Sequence, residues 1–167
     1  IILRFSGKKN DDNAGEDDEF KDWDEDDGDE SKYWFTKDKI DKINKVHNYL
    51  ENTEHVGKVL SFSSIIQVAT KLNNNKELGT LEMGVLYSKI PETVKSEIID
   101  PYISIKDDEA RISLRIKDSS KDLRRNELIK KINFDMQNEI GLSEEEFKLG
   151  GVLILFNNLL QSLFKSQ

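Results

Sequence analysis

An α+β fold is predicted for this chain of 167 residues on three observations. Short apolar runs alternate with stretches of helical periodicity. One stretch, Glu109 to Lys117, switches residue by residue between apolar and polar side chains. Setting aside a helical tract from Ser63 to Ile99, the elements run strand, helix, strand, then strand, helix, strand. That order is the split βαβ, ferredoxin-like pattern, with a helical insertion over 63–101 between its halves and one further helix over 151–167.

The first strand is Ile1 to Phe5, a nearly continuous apolar run. Thr36 is a good N-cap, and Asp38 suits the first turn of a helix buried through Ile40, Ile43, Val46 and Leu50, running to about Asn52. After a turn at Asn52 to Gly57 comes a strand, Lys58 to Phe62. Ser63 or Ser64 can cap a helix over Ile65 to Leu72. A third helix starts near Thr80, and Pro91, placed in a first turn, opens a fourth to Ile99.

Tyr102 to Lys106 and Glu109 to Lys117 form a hairpin through Asp107 and Asp108. Ala110, Ile112, Leu114 and Ile116 face inward and Arg111, Ser113, Arg115 and Lys117 outward, so one sheet face is wet. Ser119 and Asp122 resemble a capping box for a helix to Ile140, buried through Leu128, Ile132 and Met136 and stopped by Gly141. Phe147 to Gly150 is the last strand. In the tail, Val152, Leu155, Phe156, Leu159, Leu160 and Leu163 make one broad apolar stripe opposite Asn157, Asn158, Gln161, Ser162 and Lys165.

Composition narrows the functional classes. The formal net charge is −8, but Asp11 to Glu30 alone carries −12, leaving +4 for the remainder. The segment over 8–30 is expected to be a disordered acidic loop, because its charge repels itself and it has little apolar surface to bury. A near-neutral body with a detachable acidic strip argues against nucleic acid as a partner. With no cysteine there is no disulfide, zinc-thiolate site or thiol nucleophile. No run is long and apolar enough to span a bilayer, and no signal peptide is visible. Opening on IILRF and closing on LFKSQ, the sequence reads as a piece of a longer polypeptide.

Four strings, in order, carry a family resemblance: GKVLSFSSIIQVATKLNNN from Gly57, GVLYSKIPE from Gly84, DEARISLRIKDSS from Asp108, and LGGVLILFNNLLQSLFKSQ from Leu149. Together they resemble the extracytoplasmic loop of resistance-nodulation-division (RND) superfamily exporters. Within these they are most similar to the predicted-exporter group, akin to the large mycobacterial lipid exporters and hopanoid transporters. The resemblance covers Thr36 to Gln167 and favours the second loop of the parent over the first. It implies a soluble extracytoplasmic, periplasmic porter domain of ferredoxin-like type in a cytoplasmic-membrane protein. It further implies proton-driven export of hydrophobic or amphiphilic molecules, often lipids. The partners it implies are the transmembrane helices and other porter loop of the same polypeptide and the lipid cargo, with an oligomer allowed. The proton-relay carboxylates of that family lie in membrane helices, so none maps onto this sequence. The acidic strip has no counterpart in the family pattern.

Each chemical candidate meets a simpler reading. Asp22, Asp24 and Asp26 alternate as in an EF-hand loop, yet Asp27 stands where the glycine is needed and Tyr33 where the bidentate Glu is needed. His47 and His55 lie too far apart for one helix face and lack a third ligand, so each is expected to be a surface or helix-end histidine. Gly150 and Gly151 are not followed by the Lys and Ser or Thr of a phosphate loop, and they suit a sharp strand-to-helix bend instead. Asp107 and Asp108 fit ordinary turn preference. Tyr33, Trp34 and Phe35 read as a core anchor ahead of a contact patch. No catalytic, cofactor or metal residue is assigned, and the chain is not expected to be an enzyme. A small enzyme of the acylphosphatase kind is disfavoured, because no arginine-bearing glycine-rich loop stands between the first strand and helix.

Two functions compete. In the porter reading the tail helix is a stalk toward the membrane and its stripe stays partly exposed. In the alternative, a freestanding extracytoplasmic ligand-binding or adaptor domain, the stripe is buried on its own sheet.

Overall fold

The computed structural model describes residues 1–5, 33–117 and 124–165 of the chain. The expected acidic loop, the EF-hand-like aspartates and the capping pair Ser119 and Asp122 all lie outside them. The architecture is α+β, with antiparallel sheets.

Helix α1, Lys37–Glu51, starts where expected: Thr36 is extended, and its hydroxyl accepts from the Lys39 amide. Ile40, Ile43, Val46 and Leu50 recur at helical spacing and are all buried. Helix α5, Arg125–Asn138, presents Leu128, Ile132 and Met136 to the same core. Leu3, Ala110, Ile112 and Phe147 project into that core from the sheet, while Arg4, Arg111, Ser113 and Arg115 stay exposed on its outer face. Burying one face and wetting the other is what strict alternation dictates.

Strand β1, Ile2–Arg4, is central: it pairs antiparallel with β4, Glu109–Arg111, on one side and with β6, Phe147–Lys148, on the other. Strand β3, Ile103–Ser104, covers the far edge of β4. After Ile112 the same strand continues as β5, Ser113–Ile116, which pairs antiparallel with β2, Val56–Leu60. Backbone parity fixes which edge β2 occupies. Ile112 donates to the Ile1 carbonyl, whereas Arg111 donates to Tyr102 and Lys117 to His55. Odd-numbered amides therefore point away from β1. Strands β2 and β3 consequently lie on the same edge of the 109–116 stretch, in two sheets: β3-β4-β1-β6, and β2-β5, with Ile112 between them.

Between β2 and β3 come α2, Phe62–Leu72, α3, Thr80–Lys89, and α4, Glu92–Val94, which widens into a π-helical turn at Lys95–Ile99. The strand expected at Lys58 to Phe62 is shifted: β2 ends at Leu60, and Ser61 caps α2. Its Oγ accepts from the Ser63 amide, while the Ser64 hydroxyl accepts from the Ser61 amide. The apolar Phe62 looks like a strand residue in sequence but is the first residue of the helix. Pro91 is the N-cap of α4, one place before the expected first-turn position. The strand expected at Tyr102 to Lys106 shrinks to two residues, because Asp108 enters the left-handed region, with φ of 52°, and turns the chain early.

Helix α5, Arg125–Asn138, ends two residues before the expected Ile140. The Ile140 and Leu142 amides return to the Asp135 and Met136 carbonyls around Gly141, whose φ is +84°. The last strand stops at Lys148, and Gly151, with φ of +118°, bends the chain into α6, Val152–Lys165.

Candidate functional site

The feature with the strongest functional content is α6 together with the cleft beside it. On α6 the half-buried residues are Leu153, Ile154, Asn157 and Leu160, on the side that meets α5. The apolar stripe faces outward: Val152 is 84% and Leu155 72% exposed, and Phe156, Leu159 and Leu163 are exposed as well. Leu160, assigned to that stripe from periodicity, sits half-buried. The helix is apolar on both sides, which an ordinary surface helix avoids.

Between β5, α5 and the start of α6 lies a cleft of about 850 Å³. Ile112, Leu114, Leu128, Ile132, Leu153 and Phe156 give it apolar walls, and Arg111 and Arg125 are the charged residues on its border. Gly150 and Gly151 line it at the strand-to-helix bend, which Gly151 makes with φ of +118°.

A second apolar region belongs to the insertion. A cavity of about 40 Å³ is enclosed by residues that include Phe35, Phe62, Met83, Tyr87 and Ile90. Outside it, Leu72, Leu81, Val85 and Ile98 are exposed, and Leu86, which lines it, is exposed as well. The aromatic triplet before α1 splits in two. Tyr33 is 80% exposed, whereas Trp34 is 5% exposed and Phe35 is buried. Trp34 stacks edge-on with Phe5 at 5.7 Å, and its Nε1 donates to Asp108 Oδ1 at 2.8 Å. Lys39 Nζ donates to the same carboxylate at 2.5 Å and stands 4.7 Å from the Trp34 ring centroid. Asp108 is therefore more than a turn residue: it ties the hairpin to α1. Asp107 accepts from the Ser104 hydroxyl at 2.6 Å within the same turn.

His47 corrects the expectation of a surface or helix-end histidine: it is only 1% exposed and sits within α1. It lies on the α1 face shared by Ile43, Val46 and Leu50, and its ring is satisfied at both nitrogens. Nδ1 is 2.8 Å from Ser61 Oγ and Nε2 is 3.3 Å from Glu51 Oε1. The Glu51 carboxylate can only accept, so in the neutral ring Nε2 carries the proton toward it and Nδ1 accepts from the Ser61 hydroxyl, whose oxygen also accepts from the Ser63 amide. This serine, histidine and glutamate string has the order of a hydrolase triad, but Ser61 is fully buried and its oxygen is occupied as a helix cap. It links α1 to the start of the insertion. His55 occupies the turn before β2 with φ of 65°.

Asp135, 4% exposed, is the other buried polar anchor. Tyr49 donates to it from α1 at 2.5 Å, and Lys131 pairs with it from one turn earlier on α5. These bonds hold its carboxyl below the ordinary range, while burial and the bond to Asp135 push the Tyr49 phenol up to about 12. Among the described residues no group of three His, Asp or Glu side chains is placed to hold a metal ion. No family model, no curated protein and no solved structure matches the chain.

Proposed function

We propose that this chain is the extracytoplasmic porter domain of a proton-driven membrane exporter of hydrophobic or amphiphilic molecules, lipids among them. The observation that carries the reading is α6: its broad apolar face lies exposed on a folded body that has ample core elsewhere. Fourteen residues at about 1.5 Å each give roughly 21 Å, short of a bilayer crossing but suited to a stalk lying against apolar surroundings.

Joined along the 109–116 stretch, the pairings of the two sheets support the ferredoxin-like reading, since each helix crossover, from β1 to β2 and from that stretch to β6, then spans one intervening strand. In this reading the sheet with α1 and α5 is the stiff part. The insertion 62–99, with its exposed Leu72, Leu81, Val85 and Ile98, is the wall that shifts as apolar cargo passes. The membrane helices and the other porter loop of the same polypeptide complete the route.

Fractionation of the source cells tests this. The peptides of this chain should be recovered from the carbonate-washed membrane fraction, in a polypeptide much larger than 19.3 kDa. In that polypeptide, Leu155→Ser with Leu159→Ser should abolish export without lowering its abundance. Recovery as a 19 kDa soluble protein would sink the porter reading and favour a freestanding adaptor.

A further inference from the structure

The buried bond between His47 on α1 and Ser61, the cap residue of α2, is one that a proton rewires. In the neutral ring Nδ1 accepts from the Ser61 hydroxyl at 2.8 Å, and Nε2–H is directed to Glu51, one turn further along α1, at 3.3 Å. An imidazolium has no acceptor left, because both of its nitrogens donate. The Ser61 hydroxyl proton and Nδ1–H would then point at each other in a site where Ser61 is fully buried. The Glu51 carboxylate, by contrast, gains attraction for the charged ring. Protonation therefore exchanges a bond that crosses to the insertion for a stronger one within α1.

The other charged groups around α1 stand apart from this exchange. Strand β2 and helix α2, packed on this side of α1, carry one charged residue each, Lys58 and Lys71, and both are exposed. In the turn between α1 and β2, Glu54 and His55 pair with each other at 3.7 Å. Helix α5 brings Lys131 and Asp135 to Tyr49, about 200° round α1 from His47, and the Lys42–Glu146 pair lies on that far side too. We propose that His47 is a proton-operated latch on the insertion: when the ring takes its second proton, the Ser61 hydroxyl leaves Nδ1 and the start of α2 loosens from α1. The effect reaches inward because Ser61 Oγ also caps α2, accepting from the Ser63 amide at 3.1 Å. Phe62, the next residue, packs on Phe35 with ring centroids 5.5 Å apart, and lines the 40 Å³ cavity with Met83 and Tyr87 of α3. The latch needs only the contact of α1 with α2 and is independent of the export reading.

The test is NMR on the whole chain, following the His47 ring nitrogens and the backbone amides of α2 as pH is lowered from about 8 to about 5, the range in which imidazoles titrate. The Ser61, Phe62 and Ser63 amides should shift with the same midpoint as the ring. Exchange protection of the Ile65 and Ile66 amides, corrected for the intrinsic effect of pH, should fall by about tenfold or more, while that of Ile43 and Val46 on α1 holds. His47→Gln, whose side-chain carbonyl accepts from Ser61 at every pH, should abolish the α2 response. Glu51→Gln, at a half-exposed position, should lower the ring midpoint and the α2 midpoint together. A ring that stays neutral throughout overturns the proposal, as does a ring that protonates with the α2 amides unmoved. An α2 midpoint that stays in place while Glu51→Gln moves that of the ring also overturns it, and assigns the loosening to another group.

Discussion

Asp135 shows how one buried side chain sets a pH dependence. Its carboxylate takes a charged bond from Lys131 and a neutral one from Tyr49, and both favour the ionised form. Glu146 is likewise held low, first by Lys42 at 2.7 Å and then by the Ser143 amide. Because folding lowers both, their stabilisation is complete above the unfolded carboxylate value of about 4 and is lost as pH falls below it. The urea midpoint should therefore hold steady from about pH 7 to 5 and drop below about 4, and Asp135→Asn with Glu146→Gln should flatten that drop. Tyr49 has the opposite sign. Its raised phenol favours folding below the unfolded value of about 10, an advantage that disappears as pH climbs through about 12. Absorbance titration should show a tyrosinate step near pH 12 that Tyr49→Phe removes. Asp135→Ala, which strands the Tyr49 hydroxyl at the α1–α5 contact, should cost about 1–3 kcal/mol in chemical denaturation.

Among the elements, α6 and α2 make contrasting demands. The stripe of α6 is exposed, so Leu155→Ser with Leu159→Ser should shift stability by no more than about 0.5 kcal/mol per site while lowering the binding of a hydrophobic dye. A large fall in melting temperature would mean that the stripe is packed. At α2, Ser61→Ala removes the helix cap and the partner of buried His47 together, and should cost about 2 kcal/mol, measured by the urea midpoint. The apolar stripe of α6, though not its exposure, and the buried face of α1 were legible because 3.6-residue periodicity is a local property. The long strand was legible for the same reason, through its period of two. The Ser61 cap was not: Ser61, Ser63 and Ser64 all carry cap chemistry, and only the paired end of β2 at Leu60 selects the first. His47 was misjudged because a polar residue among apolar ones reads as exposed unless its distant partner is known.

At the scale of the whole molecule, the insertion interrupts one edge line of the sheet without breaking it. Leu60 stands opposite Ser113, and Ile103 stands opposite Ala110, which places Tyr102 opposite Arg111. One rung, at Ile112, separates the point where the chain leaves from the point where it returns. At about 3.3 Å per residue the gap between Leu60 and Tyr102 is near 7 Å, the span of a single residue. Sequence order suggested a module between two halves; the register adds that both ends of the module meet one strand. Removing residues 61–101 and joining Leu60 to Tyr102 through one glycine should therefore give a continuous edge strand. It should also leave Leu3, Ile43, Ala110, Ile132 and Met136 packed as before. The loss is local: Phe35 gives up Phe62 and Tyr87, and His47 gives up Ser61. The shortened chain should keep a single cooperative thermal transition and its β circular dichroism, at a lower melting temperature. A non-cooperative melt would show that the insertion is part of the folding unit, and a rigid body of that kind would count against the moving wall of the porter proposed above.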